Sequence, residues 1–267
     1  AEGLDVVHVR RAVRTGYKAG ALADAFADIK GEFVLLLDAD FVPDPSLVRR
    51  LLPYFAQPGI AMVQARWGHL QRPTSVLEHC VVHWIDRHFE VDQIARSRSG
   101  RFFHFNGSGG MWRTAAIEDA GGWSADTLAE DLDLSLRAFR RGWRFVYEDR
   151  VQVPAEVPSS LPAYVVQQDR WARGSIQCAK KMLPQLAKST MRRSQLLETA
   201  LHLTGYLFPS FLLLVLLASP AAVWAGREIG DWTRLIIDLP LALFAGGMAV
   251  RAATRAITRG WRAGWVE

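Results

Sequence analysis

Three carboxylates fall within four residues in the stretch Leu128-Ala129-Glu130-Asp131-Leu132-Asp133-Leu134, which opens a segment of helical spacing, "LAEDLDLSLRAFRRGWR". At about 100° per residue, Leu128, Leu132, Leu136 and Phe139 share one apolar face. Asp133 then stands four residues before Arg137, and an i, i+4 ion pair accounts for it. Glu130 lies on the side of Arg141 and the far edge of Arg137. Asp131 differs from both. Its neighbours one turn on are Ser135 and Ala138, with no cation among them. A carboxylate above small side chains leaves room for a substrate. A favourable charge at a helix start is the other reading, and spacing alone leaves the two open.

Four further stretches carry residues suited to chemistry. Asp38 and Asp40 stand at i and i+2 at the end of an apolar run, so on a strand they point to one side. Two such carboxylates make a hard-oxygen pair suited to Mg²⁺ or Mn²⁺ and a diphosphate. The other reading is a pair of turn acids before Pro43, with Asp44 capping the next helix. In "QQDRW", Gln167 shares a helical face with Arg170 and Trp171. Arginine can meet a phosphate with forked hydrogen bonds, and Trp171 offers a flat surface for a sugar ring; a surface Arg–Asp pair beside a core tryptophan is the other reading, and the stretch by itself favours it. "FNGSGGMWR" includes Gly107 and Ser108 in a glycine-rich turn that lets backbone approach a ligand closely. Lys18 stands near a helix start, where a phosphate could meet it.

The elements that must position these residues alternate. "LDVVHVR" reads as a strand, "KAGALADAFADIK" as a helix, and "EFVLLLDAD" as a buried strand ending in acids. "DPSLVRRLLPYF" reads as a short helix with Pro at its start, and "GIAMVQAR" as a strand. This βαβαβ order predicts an α/β fold with a parallel sheet between helices, and ligands beyond the carboxyl ends of the strands. A long helix over about 74–96 follows, then a short helix near 114–120. The "LAEDLDL" helix comes next, then a strand pair in "WRFVYEDRVQVPAE", and a helix from about Leu161 through "QQDRWARGSIQ".

The chain has 267 residues and a net charge of +5, with basic clusters at 180–188, at Arg192 and Arg193, and over 251–262. Those clusters flank apolar runs, which suits a membrane surface better than a nucleic acid. The two cysteines, Cys80 and Cys178, are far apart and have no metal-ligand spacing. "LTGYLFPSFLLLVLLASPAAVW", over 203–224, reaches the ~20 apolar residues a spanning helix needs. "LIIDLPLALFAGGMAV" is a second, shorter candidate carrying Asp238. Basic flanks place both outer ends in the cytoplasm. Lysines at helical spacing in "QCAKKMLPQLAK" suit either an interfacial or an ordinary surface helix.

In order, "KAGAL", "DAD", "FNGSGGMWR", "AIEDAGGW", "AEDLDL", "QQDRW" and the apolar run resemble glycosyltransferase family 2. The run over 105–171 looks most like its cellulose-synthase-like mannan and glucan synthases. The resemblance implies a nucleotide-sugar-binding fold of the glycosyltransferase A type. That fold has a mixed, mostly parallel sheet flanked by helices, here followed by transmembrane helices. It implies Asp131 as general base and Glu130 as its supporting neighbour. Asp38 and Asp40 would hold Mg²⁺ or Mn²⁺ and the sugar-nucleotide, with Lys18 near the diphosphate. Gly107 and Ser108 would lie near the acceptor, and Gln167, Arg170 and Trp171 would match the family's QxxRW motif, in which Arg170 would meet the diphosphate and Trp171 would floor the acceptor sugar.

The same resemblance implies a membrane-bound inverting enzyme. It would move a hexose from a nucleotide-sugar donor of UDP-glucose or GDP-mannose type to a growing β-linked polysaccharide. A glycolipid synthase adding one sugar to a lipid, and a non-catalytic subunit of the same fold, are the alternatives. The expected organisation is a catalytic domain over 1–175 on the cytoplasmic side, interfacial helices over 176–200, and a multi-pass region over 201–267 in the inner or plasma membrane. The partners are donor, glycan or lipid acceptor and the bilayer, with no nucleic acid. Two departures stand out. Ala129 replaces the family's Thr before Glu-Asp, and the family's first nucleotide-binding strand is expected to precede Ala1.

Overall fold

A computed structural model describes residues 6–214 and 217. Its contacts divide the chain at Thr204 into two units, Ala1–Thr204 and Gly205–Glu267. In the first unit four strands form one sheet: β1 (Phe33–Leu36), β2 (Ile60–His69), β3 (Gly110–Arg113) and β4 (Arg144–Ala155). The helices are α1 (Tyr17–Phe26), α2 (Leu47–Leu51), α3 (Val76–Arg87), α4 (Gln93–Arg98), α5 (Thr114–Asp119), α6 (Glu130–Arg140), α7 (Leu161–Ala187) and α8 (Arg193–Leu203).

The sheet is mixed. Its order is β1-β3-β2-β4, with β3 antiparallel to both neighbours and β2 parallel to β4. The expected mixed sheet is present, while the parallel sheet read from the βαβαβ order is corrected in that two of its three strand pairings are antiparallel. β1, β2 and β4 do run the same way, but β3 is inserted against them. The glycine-rich segment at 106–109 feeds β3 back between β1 and β2, and strand periodicity carries no information about insertion order. β2 lies at the centre and is buried along "IAMVQA". Met62, Leu36 and Trp112 pack on one face with α3, α5 and α6, while Val63, Ala65 and Met111 pack on the other with Leu47, Leu51 and Phe55. Such two-sided burial makes "IAMV" a continuous apolar run rather than an alternating one.

Other expectations change in detail. The "VVHVR" part of the first expected strand has no regular structure, and Val6, Val7 and Val9 are exposed. An alternating run without a described partner strand has no ladder to stabilise it. The expected strand pair at 144–155 is one strand. Both of its halves pair with β2, and the register jumps from Ala65↔Glu148 to Arg66↔Gln152. The expected long helix starts at Val76, where Ser75 and Glu78 form a capping box. It then passes through a π-helical turn, His88–Asp92, before α4. That extra residue turns Phe89 and Gln93 inward. α2 begins at Leu47, with Asp44 and Pro45 lying before its cap.

α7 runs unbroken through the expected boundary at 175. The apolar side of "QCAKKMLPQLAK" (Cys178, Ala179, Met182, Leu186) packs with Leu132 and Leu136 of α6 and Leu203 of α8. No single described helix is long and apolar enough to cross a membrane, although α8 and 205–214 pass that test together as a broken pair. The second expected span lies outside the described residues.

Candidate active site

Lys18 joins three elements. Its Nζ stands 2.5 Å from Asp38 Oδ1, donates to the Gly107 carbonyl at 3.0 Å and lies 3.9 Å from Glu130 Oε1. Asp38 sits just past the end of β1, where its N–H donates to Ser108 Oγ at 2.8 Å. One ammonium therefore ties the helix of "YKAGAL" to the "DAD" corner, the glycine-rich turn and the start of α6. Side chains that the sequence separates by 112 residues (18 and 130) meet here.

Asp131 borders the same turn. A Cβ on Gly107 would stand 3.0 Å from Asp131 Oδ2 and 3.6 Å from Lys18 Nζ, and Gly107 has φ of +84°. Glycine is thus required twice, for backbone conformation and for the open space beside the carboxylate. Asp131 Oδ1 accepts from the Leu132 N–H at 2.8 Å, leaving Oδ2 toward Gly107. Burial, then the neighbouring Glu130 charge, push the Asp131 carboxyl up to about 7, with the Leu132 N–H and Lys18 acting in the opposite direction. A carboxylate with that proton affinity is matched to accept a proton near neutrality.

The other acids of α6 separate from it. Asp133 is fully buried, with Oδ2 2.8 Å from Arg137 Nε and Oδ1 2.7 Å from Lys181 Nζ. Arg137 in turn donates to the carbonyls of Ala120 and Gly122. The expected Arg137 pair is present, and Lys181 of α7 adds a tertiary partner that helical spacing could not show. Glu130 meets Lys18, not the expected Arg141 side. Leu128 is exposed and precedes the helix, so it does not belong to the apolar face. Asp133→Ala would remove the buried carboxylate shared by Arg137 and Lys181, leaving Arg137 its two carbonyls and Lys181 its pair with Asp126, and we expect it to destabilise the fold by about 1.5–3 kcal/mol. A fall in the denaturant midpoint at unchanged slope checks this; an unchanged midpoint would place Asp133 outside the scaffold.

Gln167, Arg170 and Trp171 lie on α7, before its close approach to the start of α6 at Gly174. At that contact a Cβ on Gly174 would stand 2.7 Å from Ala129 Cβ and 3.0 Å from Ala129 N. The helices touch there through two small residues. Ala129 in place of Thr matches that close approach. Gln177 Oε1 accepts from the Leu128 N–H at 2.8 Å, and Cys178 Sγ lies 3.7 Å from the Ala129 carbonyl. Asp169 pairs with Arg173, so Arg170 is exposed without an ion pair among the described residues. Buried Gln167 Oε1 has no hydrogen-bond partner among them either. No described contact joins these three side chains directly to Lys18, Asp38 or Asp131; α7 reaches the site through Gly174, Gln177 and Cys178.

Asp40 is exposed, two residues from Asp38, and its carboxylate has no partner among the described residues. No group of three metal-ligating side chains occurs among the described residues. The pair fits an ion that takes its remaining ligands from water and a diphosphate, as Mg²⁺ does, rather than an all-protein cage.

Sequence reasoning missed the residues behind the turn. Gln64 is fully buried on β2. Its Nε2 lies 2.8 Å from the Ala65 carbonyl, 3.0 Å from Ser108 O and 3.3 Å from Gly109 O. Its Oε1 accepts from the Asn106 N–H at 2.9 Å. Trp67 Nε1 also donates to Ser108 O, at 3.0 Å. The Asn106 side chain meets His88 Nε2 and Gln93 Nε2, both brought there by the π-helical turn. Burial holds His88 down to about 4, so it is neutral at pH 7. Ser135 Oγ accepts from the Phe105 N–H and donates to the Asp131 carbonyl, binding the turn to α6. The available signal for Gln64 was a lone polar residue inside the apolar run "IAMVQA".

A sequence model of the family described as "Glycosyl transferase family group 2" matches residues 33–259. "Glucomannan 4-beta-mannosyltransferase 2" of Arabidopsis thaliana is 40% identical over 192 residues, covering 70% of this chain and 36% of that protein. "Probable glucomannan 4-beta-mannosyltransferase 7" of Oryza sativa subsp. japonica is 40% identical over 185 residues, 68% of this chain and 32% of that one. The chain spans about a third of the length of these relatives. A mannosyltransferase of Pyrobaculum calidifontis, solved with GDP-Man and Mn²⁺, superposes with a TM-score of 0.57 at 21% identity, covering 87% of this chain and 61% of that one. This last likeness supports the fold, a glycosyltransferase A-like mixed sheet flanked by helices. With the family match extending over most of its length, the chain belongs to glycosyl transferase family group 2.

Proposed function

We propose that this chain forms the catalytic part of an inverting hexosyltransferase that extends a β-linked polysaccharide from a nucleotide-sugar donor. The observation that carries the reading is Asp131, a carboxylate with proton affinity near neutrality, whose Oδ2 faces Gly107 with Lys18 and Asp38 alongside. Relatives named glucomannan 4-beta-mannosyltransferases favour a mannosyl or glucosyl donor and a polymer acceptor.

The acceptor hydroxyl attacks the anomeric carbon as the bond to the diphosphate breaks, and Asp131 takes the hydroxyl proton as that oxygen becomes acidic. Lys18 and Arg170 meet the charge that builds on the leaving diphosphate. Trp171 supports the acceptor ring, Gln167 orients near it, and Gly107 and Ser108 form the wall against which the acceptor lies. Asp38 and Asp40 would hold Mg²⁺ or Mn²⁺, which would supply further charge neutralisation for the leaving group. One displacement inverts the anomeric configuration. The catalytic unit faces the cytoplasm, with α7 and α8 leading to a multi-pass region in the inner or plasma membrane. That arrangement rests on the apolar runs after Leu203 and their basic flanks.

Incubating the intact protein with labelled GDP-mannose or UDP-glucose tests the reading. A chelator-sensitive, high-molecular-weight product cut by a β-glycanase is expected. A single labelled sugar on an extractable lipid would favour the glycolipid synthase, and absence of transfer with either donor would favour a non-catalytic subunit.

A further inference from the structure

Gln64 lies behind the site, touches no substrate-facing group itself, and yet holds the turn that borders all of them. Its amide reaches the backbone at Asn106, Ser108 and Gly109, both flanks of Gly107. The turn in turn presents Gly107 O to Lys18 Nζ, Ser108 Oγ to the Asp38 N–H, and the bare Cα of Gly107 to Asp131 Oδ2. The three carbonyls facing Nε2 belong to β2 and to the turn, so the side chain bridges the central strand to the turn beside Asp131. Trp67, three residues along β2, adds a second donor to Ser108 O while its ring packs against Phe41 and Phe89. A bridge of this kind needs two N–H donors and one acceptor on a single planar group, and among the side chains only an amide supplies them in neutral form.

We propose that Gln64, assisted by the Trp67 indole N–H, is a positioning residue for transfer, setting the spacing between the 106–109 turn and Asp131. The inference rests on the transferase reading above. Donor groups come from other elements: Lys18 from α1, Asp38 and Asp40 from the end of β1, Arg170 from α7. The turn touches two of them, but Lys18 and Asp38 also hold each other directly at 2.5 Å, whereas the gap between Gly107 and Asp131 Oδ2 is bounded by the turn itself; a slackened turn therefore alters the acceptor's approach to Asp131 more than it alters donor affinity. Displacements of about 1 Å at a reacting centre lower rates on the order of 100-fold.

The test compares Gln64→Met, Gln64→Glu and Trp67→Phe in the intact protein, measuring donor binding, kcat and the pH–rate profile. Gln64→Met keeps the volume and removes the amide. It should lower kcat by about 10- to 100-fold, with donor Kd changed less than about 3-fold. Trp67→Phe keeps the ring packing and removes one N–H, which puts folding least at risk. It should show the same kcat-only loss, smaller in size. Gln64→Glu can donate only when protonated, so its rate should fall with rising pH along a limb the parent lacks. Parent-like kcat in Trp67→Phe or Gln64→Met overturns the proposal, as does a proportional loss of donor affinity and kcat. If Gln64→Met and Gln64→Glu fail to fold, Trp67→Phe decides alone. Absence of transfer in the parent would instead count against the transferase reading.

Discussion

Asp131→Asn is expected to lower kcat by about 10³-fold, the size of effect a lost general base produces. Asparagine has the same shape and can keep the Leu132 N–H contact at Oδ1. With its carboxyl near 7, Asp131 is already partly protonated at neutral pH, so the neutral variant should fold and bind donor as the parent does. Isothermal titration with the nucleotide-sugar and a rate assay on one preparation check this. Equal losses in donor affinity and rate would remove Asp131 from the base role. The pH profile gives an independent reading. Proton transfer to Asp131 needs its ionised form, so the parent's kcat/KM should rise with pH through about 7 and level off above it. The Glu130 charge raises the Asp131 value, so Glu130→Gln should move that limb to lower pH. A limb that stays in place would separate Glu130 from the base.

Lys18→Met should lower kcat/KM by about 10²-fold, the effect of losing a preorganised cation where charge builds on a leaving group. Its structural effect should be small. Lys18 and Asp38 are each more than a third exposed, at 38% and 39%, and solvent screens such a pair to at most about 1 kcal/mol. The variant also carries a signature that general loosening would not produce. Lys18 favours the charged form of Asp131, so its removal should move the acidic limb above the parent's. A weaker donor Kd with a limb shifted to higher pH would fit both of its contacts. Unchanged donor affinity would take Lys18 away from the diphosphate.

Much of the site was legible before the fold was known. Asp38 and Asp40 follow a strand because the apolar run "FVLL" pairs as β1 and the acids come just after it, although β1 lies at the sheet edge and only Leu36 in it is buried, against the buried strand expected. Glu130, Asp131 and Asp133 open a helix because the spacing of Leu132 and Leu136 is helical. Insertion of β3 was not legible, since it depends on which strand edge the 106–109 turn feeds, a long-range choice that periodicity does not encode. The single strand at 144–155 was misread for the same reason. Its halves look like partners but both pair with β2. Gln64 was passed over because its importance lies in backbone groups more than 40 residues away.

Residue types, local periodicity and motif order by themselves determined the α/β class, the family and the list of candidate groups, because each depends on near neighbours along the chain. Only the tertiary structure gave the three acids different surroundings. It buried Asp133 between Arg137 and Lys181, and brought Lys18 to Asp38 and Glu130. Beside the open Cα of Gly107 it left Asp131 desolvated and next to a like charge, with a carboxyl near 7. Proton affinity is set by solvent exclusion and by charges that converge in space, and the three acids of "LAEDLDL" acquire different environments only when the glycine-rich turn, α1 and α7 close around them.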